Sequence, residues 1–359
     1  MKNKRFFLAV MFGLVLTFGL IFSGCSSGGG GDEESGDPIK VYRESSGQAV
    51  FSSGSLDSAF DWLKTAGASN TGYRITVRGN HVTAGIAIQN YPVNMTITLE
   101  GIGEEPIIEL IDSAKPLFTI YQDYTLILGE HITLKGLENG NPSLVKVESQ
   151  GKLIMRGAKI TGHTSSNEGG GVHVNPNAVF IMEYGSITGN TAKNNGGGGV
   201  YINSGSTFTM EGGSITDNVS GNGNGGGVLV NPASTFTMKN GTITGNIVNN
   251  NGSGGGVYIN SNAVFNMQNG TIAGNTVNFA HGSGGGVYVN NSGTISKTGG
   301  IITGYGNDRE TGNKVWAGNA PVSSKGHAVY ANIDQGRRLE NTVDANHNLN
   351  SSSAGGWTD

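Results

Sequence analysis

A chain of 359 residues with 62 glycines, 13% charged residues and a formal charge of −4 has no basic patch interleaved with aromatics, so it has nothing to neutralise phosphates and nucleic acid is excluded as a partner. Its single cysteine excludes an intramolecular disulfide.

Residues 1–24 open with Lys2, Lys4 and Arg5, continue as an apolar run from Phe6 to Phe22 and end Phe22-Ser23-Gly24 before Cys25, the pattern of an export signal peptide. Small residues directly before a lone cysteine resemble the lipobox of bacterial lipoproteins, although Phe22 stands where Leu is usual. The resemblance implies cleavage before Cys25 and lipidation of that residue, so that acyl chains anchor the protein to a membrane. The alternative is a signal anchor that stays as a span, for which the run is barely long enough. Residues 25–37 carry Gly, Ser and acids (Asp32, Glu33, Glu34, Asp37) and read as a flexible acidic tether. Losing Lys2, Lys4 and Arg5 with the signal takes the formal charge to about −7.

Residues 38–70 read as an N-terminal cap. Ser55 to Ala66 is the one credible helix, with Ser55 and Asp57 at its start and Leu56, Phe60 and Leu63 on one face. An amphipathic helix here would cover the apolar end of whatever follows. The spacing predicts strands around Ile75–Val77 and Ile86–Ile88.

From residue 71 to 335 one pattern governs the chain, degraded at first and regular between 144 and 303. It is Gly-Gly-Gly-Val, Phe-x-Met, Gly-x-Ile-Thr-Gly-Asn, repeated about every 28 residues. The valines are Val172, Val200, Val228, Val257 and Val287, and the aromatic anchors are Phe180, Phe208, Phe236 and Phe265. The isoleucines are Ile187, Ile215, Ile243, Ile272 and Ile302. In the degraded part Ile97 and Leu99, then Leu126 and Leu128, stand in the Phe-Met role. Phe118 and Ile120, then Val145 and Val147, stand in the Val role, and Ile132 stands in the third strand. Apolar residues alternate within each short strand, so one face is buried. Three strands per repeat leave no room for a helix, and a parallel β-helix of about nine coils, roughly 40 Å long at one strand spacing per coil, fits.

Stacking predicts ladders of like residues: the phenylalanines, the methionines Met155, Met182, Met210, Met238 and Met267, and two asparagine columns read as turn ladders. Alternation places His173, Tyr201, Leu229, Tyr258, Tyr288 and Tyr330 on the outside. Their rings, edged by Asn203, Asn231, Asn260 and Asn290, form a candidate binding strip for sugar rings or an extended partner; a purely structural ladder is the alternative. After Ile302 the period breaks. Tyr305 to Gly326 is denser in charge, with Asp308, Arg309, Glu310, Lys314 and Trp316, and reads as a capping insertion or a recognition loop, with Asp308, Arg309 and Trp316 as candidate contacts. Residues 336–359 form a polar tail without a motif.

The triple repeat resembles the right-handed parallel β-helix proteins of the pectin-lyase-like superfamily, above all repeat-bearing bacterial surface lipoproteins, and is similar to the repeats of polymorphic outer-membrane adhesins. The resemblance covers about residues 70–335 and implies an all-β fold, not one activity, because enzymes and adhesins share it. An enzyme on this fold needs clustered acids. The best column is Arg156, Glu183, Glu211, Lys239 and Gln268, in which Glu183 and Glu211 on adjacent coils would lie near the roughly 5 Å of a retaining glycosidase. The scattered histidines have no metal-ligand spacing, and neither metal nor cofactor is expected. The expectation is a lipid-anchored interaction or structural module of the bacterial cell envelope, at the outer membrane or cell surface, with a glycan or extracellular protein as partner. A carbohydrate-active enzyme, either polysaccharide lyase or glycoside hydrolase, is the alternative.

If Cys25 carries the anchor, Cys25→Ser leaves an unprocessed or released protein. Continued partition of the mutant into detergent at the mature mass would refute the anchor.

Overall fold

The computed structural model describes residues 36–304, 312–317, 320–321, 328–331 and 348–349. The segment expected to be a signal, Cys25, most of the expected tether, Asp308 and Arg309 lie outside the described residues, as does most of the C-terminal stretch 336–359.

Parallel pairing, coil upon coil, builds the body. One sheet stacks nine strands, from Ile86–Ile88 through Phe118–Ile120, Val145–Val147 and Val172–Val174 to Val329–Ala331, which agrees with about nine coils. Val172, Val200, Val228, Val257 and Val287 lie in register along it. The largest sheet holds the Phe-Met and Ile strands together: Lys152–Thr161 and Val179–Thr188 each run through both without interruption. Later coils split this run at a bend marked by a glycine column. At Gly185, φ is 107° and an added Cβ would come within 2.5 Å of the Ala158 carbonyl oxygen, so only glycine fits.

Each repeat also makes a fourth, two-residue strand that periodicity did not suggest, such as Thr191–Ala192 and Val219–Ser220, and these form a third sheet. Two residues are too few for alternation to show. Behind this sheet Val248, Val277 and Val315 make a small second core.

The interior is made of the expected columns. Phe180, Phe208, Phe236 and Phe265 are fully buried and stack with centroids 4.6, 4.7 and 4.9 Å apart. The methionine column is equally buried and ends at Lys297, which is in register with Met267. In the degraded coils Ile97, Leu126 and Leu153 share one column. The third strand differs by two residues: Leu134, not Ile132, pairs with Ile160. Both are buried, so apolarity alone did not separate them.

The asparagines at the Ile-Thr-Gly-Asn corner face inward and are fully buried. Asn246 donates its backbone N–H and its Nδ2 to Asn275 Oδ1 at 3.0 and 2.9 Å, and its Nδ2 also donates to Ile215 and Thr244 carbonyls. Asn190, Asn218 and Asn275 repeat the arrangement. His163 precedes them, its N–H donating to Asn190 Oδ1 at 3.2 Å. At the far end the ladder continues at Asn313, whose Oδ1 accepts from Asn275. The insertion therefore rejoins the coil before Gly326: Lys314–Ala317 pairs in parallel with Thr276–Val277, and Val315 enters the small core. The signal was present in Thr311-Gly312-Asn313, a copy of the corner motif.

At the other end the helix Leu56–Ala66 caps the core, with Ser55 as N-cap accepting from the Ser58 N–H. Phe60 meets Phe118 at 5.8 Å. The cap also holds an antiparallel hairpin, Ile39–Arg43 with Gln48–Ser53, whose first strand pairs antiparallel with Gly72–Val77. That reversal closes the edge of the largest sheet.

Phe236→Ala should destabilise by about 3–5 kcal/mol, and Thr237→Ala, half-exposed on the outer face, by far less. Asn246→Ala should lose a comparable amount, since it strands several buried backbone groups. Equal melting shifts for Phe236→Ala and Thr237→Ala would refute the register.

Candidate functional site

The outer face of the nine-stranded sheet carries the predicted column: His173 is in register with Tyr201, Tyr201 with Leu229, Leu229 with Tyr258, Tyr258 with Tyr288 and Tyr288 with Tyr330. It is not the exposed flat strip that alternation suggested. Tyr258 is only 8% exposed, Leu229 is buried, and His173, Tyr201, Tyr288 and Tyr330 are half-buried. In-register stacking turns the rings toward one another. Tyr258 and Tyr288 lie 5.0 Å apart at 6°, and Tyr288 and Tyr330 5.5 Å apart at 12°, so their faces point along the coil axis and their edges outward. His173 meets Tyr201 edge-on at 4.9 Å. The glycine runs wall the column on one side; at Gly197, φ 65°, an added Cβ would lie 2.9 Å from Tyr201 Cα and Cβ. Burial, and then the neighbouring Tyr288, push the Tyr258 phenol up to about 12. On the other flank the outer asparagines are linked, Asn260 Nδ2 to Asn231 Oδ1 at 3.2 Å and Asn290 Nδ2 to Asn260 Oδ1 at 3.1 Å, as turn ladders.

The acid column sits at the bend of the largest sheet. Arg156 Nε donates to Glu183 Oε2 at 2.9 Å, and Lys239 Nζ to Glu211 Oε1 at 2.8 Å. Glu183 and Glu211 are therefore each bound to a cation of a neighbouring coil. Trp316, half-buried in the strand Lys314–Ala317, pairs through its backbone with Pro321 and is far along the chain from the bend.

A second concave surface, which the repeat pattern did not suggest, opens at that bend on the earlier coils. It is a groove of about 400 Å³ lined by Thr98, Glu100, Glu130, His131, Arg156 and Tyr184 among others. A register shift at Met155/Arg156 puts Arg156 beside Tyr184. Tyr184 is 44% exposed. Its ring lies across Gly157, where an added Cβ would come 3.2 Å from Cε2, and its hydroxyl donates to Glu130 Oε1 at 3.0 Å. That bond raises the Tyr184 pKa, and the bond to Glu183 raises that of Arg156. On the next wall Arg74 Nη1 meets Glu100 Oε1 at 2.6 Å, and Thr98 Oγ1 donates to Glu44 Oε1 at 2.8 Å. Tyr184 stands where later coils have Gly212, Asn240 and Asn269; the break in the column was the available signal. Among the described residues no group of three or more His, Cys, Asp or Glu is placed to hold a metal ion.

The family model described as a right handed beta helix region matches residues 136–302. The fold is a right-handed parallel β-helix. No curated protein and no solved structure matches the chain.

Two histidines of the β-helix couple its stability to pH. His163 Nδ1 accepts from the Leu137 N–H at 3.1 Å, which places its proton on Nε2, 2.7 Å from the Pro142 carbonyl oxygen. Burial pushes its pKa down, and burial pushes that of His173 down to about 4, opposed by Glu168 and assisted by Lys146. Both stay neutral in the fold while the unfolded chain takes up protons below about 6.5. Their contribution is complete above that pH and is lost progressively as pH falls below it, for His173 down to about 4. His173→Tyr, the residue of other coils, should flatten the fall in melting temperature between pH 6.5 and 4; an unchanged slope would refute the coupling.

Proposed function

We propose that the β-helix is carried to the bacterial cell envelope, held there through lipidated Cys25, and works as an interaction module that binds a glycan or an extracellular protein on its outer faces. A right-handed β-helix is compatible with surface or structural roles. The observation that carries the binding reading is the groove at the bend: its polar atoms face outward, and neither the core columns nor the asparagine ladder depends on them. The sequence of residues 1–25 supports export and anchoring, and the tether supplies reach. The edges and phenol oxygens of Tyr201, Tyr258, Tyr288 and Tyr330, with His173, are a second contact surface in this proposal, as are Asp308, Arg309 and Trp316 of the insertion.

Glu183 and Glu211, each neutralised by a cation, support binding over glycosidic cleavage, which needs one free carboxylate and one proton-bearing partner.

The mature protein in detergent, screened on an array of glycans and extracellular matrix proteins, should retain at least one ligand and leave it chemically unchanged. New reducing ends or unsaturated products from a bound glycan would instead show an enzyme. No ligand at all would leave a structural spacer.

A further inference from the structure

The groove at the bend has a composition specific enough to name the class of ligand, on the premise that the protein is an interaction module. Tyr184 is the one phenylalanine, tyrosine or tryptophan ring of the described residues that stands strongly exposed. Its counterpart on the following coil, counted from the pair Met182 and Met210, is Gly212, and on the preceding side it rests over Gly157. No ring stacks on it from either coil, unlike Tyr258, Tyr288 and Tyr330. One face is therefore backed by glycine and the other is open. Such a face suits the C–H face of a pyranose ring, with hydrogen-bonding groups at its rim to take the hydroxyls.

The rim supplies those groups in both senses. Arg156 donates, Glu130 and Glu183 accept, and His131 lies 3.8 Å from Glu130. Its charge is biased. Glu100 and Glu130 line the groove, with Glu44 and Glu183 bonded to lining residues, and the guanidiniums beside them, Arg74 and Arg156, are ion-paired to Glu100 and Glu183. Glu130 is bound by a phenol with His131 beside it, and Glu44 by a threonine hydroxyl; four carboxylates outnumber two guanidiniums, so the charge around the groove is biased to the negative. A uronate or other acidic sugar entering it meets repulsion, while an ammonium meets two carboxylates, Glu44 and Glu130, that are not ion-paired to a guanidinium.

We propose that this groove is a sugar-binding site for neutral or amine-bearing glycans, with the sugar ring stacked on the open face of Tyr184 and its polar groups held by Glu130 and Arg156. Acidic polysaccharides are disfavoured. The side chains involved lie on the outer face of the fold, so replacing them leaves the core columns and the asparagine ladder intact.

The test uses the mature full chain in detergent and titration calorimetry with three probes: a β-1,4-linked glucosamine tetramer, its N-acetylated form and a tetragalacturonate. The first two should bind and the third should bind at least tenfold more weakly. Tyr184→Ala should weaken both binders by roughly tenfold or more, Tyr184→Phe should keep the N-acetylated tetramer, and Glu130→Gln should weaken the glucosamine tetramer more than the N-acetylated one. Melting temperatures within a degree or two of the parent confirm that each variant is folded. Equal affinity of Tyr184→Ala and parent, stronger binding of tetragalacturonate, or no binding of any probe at millimolar concentration would overturn the assignment. An array ligand whose binding ignores Tyr184 would sink the groove and leave the interaction module standing; an array with no ligand would sink the module itself.

Discussion

Every coil of this protein sits one strand spacing, about 4.8 Å, from the next, and a side chain's nearest neighbours are therefore its own counterparts. In the regular coils an interior position is held by a residue that satisfies a copy of itself. Phenylalanine does so by stacking, and methionine by filling the space left beside it. Asparagine does so because its amide carries a donor and an acceptor at opposite ends, so each Oδ1 takes the N–H groups of the coil before it and each Nδ2 passes on to backbone carbonyls. A fully buried polar column is otherwise costly. Here it fixes the corner, and the rest of the coil closes around it. That the column survives the insertion, with Asn275 reaching Asn313 across 38 residues of chain, shows how strongly the corner is specified.

The same constraint explains why the outer surface behaves differently from what a side-chain count suggests. A repeated aromatic on a parallel ladder hides its face against the next ring, and Tyr258, Tyr288 and Tyr330 expose edges only. Repeated acids acquire cations on adjacent coils, as Glu183 and Glu211 do. Regularity thus consumes the chemistry of whatever it repeats. Open surface arises where the pattern is interrupted, and the groove beside Tyr184 lies where Gly157 backs a single ring whose counterpart on the next coil is Gly212.

The ends follow the same logic. A stacked column has no natural stop, so the first coil is closed by something unlike a coil: a helix laying Leu56, Phe60 and Leu63 on the core and an antiparallel hairpin occupying the sheet edge. At the other end the strand Ile301–Thr303 is met by an antiparallel pair from Asn348–Leu349. Parallel growth is ended by reversal at both.

Sequence alone determined the coil, its period, the phenylalanine, methionine and valine columns and the capping helix, because each rests on local alternation and on repetition, both of which are written residue by residue. It also carried signals that repetition obscured: Thr311-Gly312-Asn313 marks the return from the insertion, and Tyr184 breaks a column of small polar residues. Only the tertiary structure decided which way faces look and what lies across from what. The tyrosine rings turn onto one another because backbones stack in register; Leu134 takes the place expected of Ile132 because the strand Thr133–Lys135 pairs with Lys159–Thr161, which sets Leu134 opposite Ile160. Arg156 reaches Glu183 and Tyr184 reaches back two coils to Glu130. Those contacts join residues 27 and 54 positions apart, and no local pattern records a distance that exists only once the coil has closed.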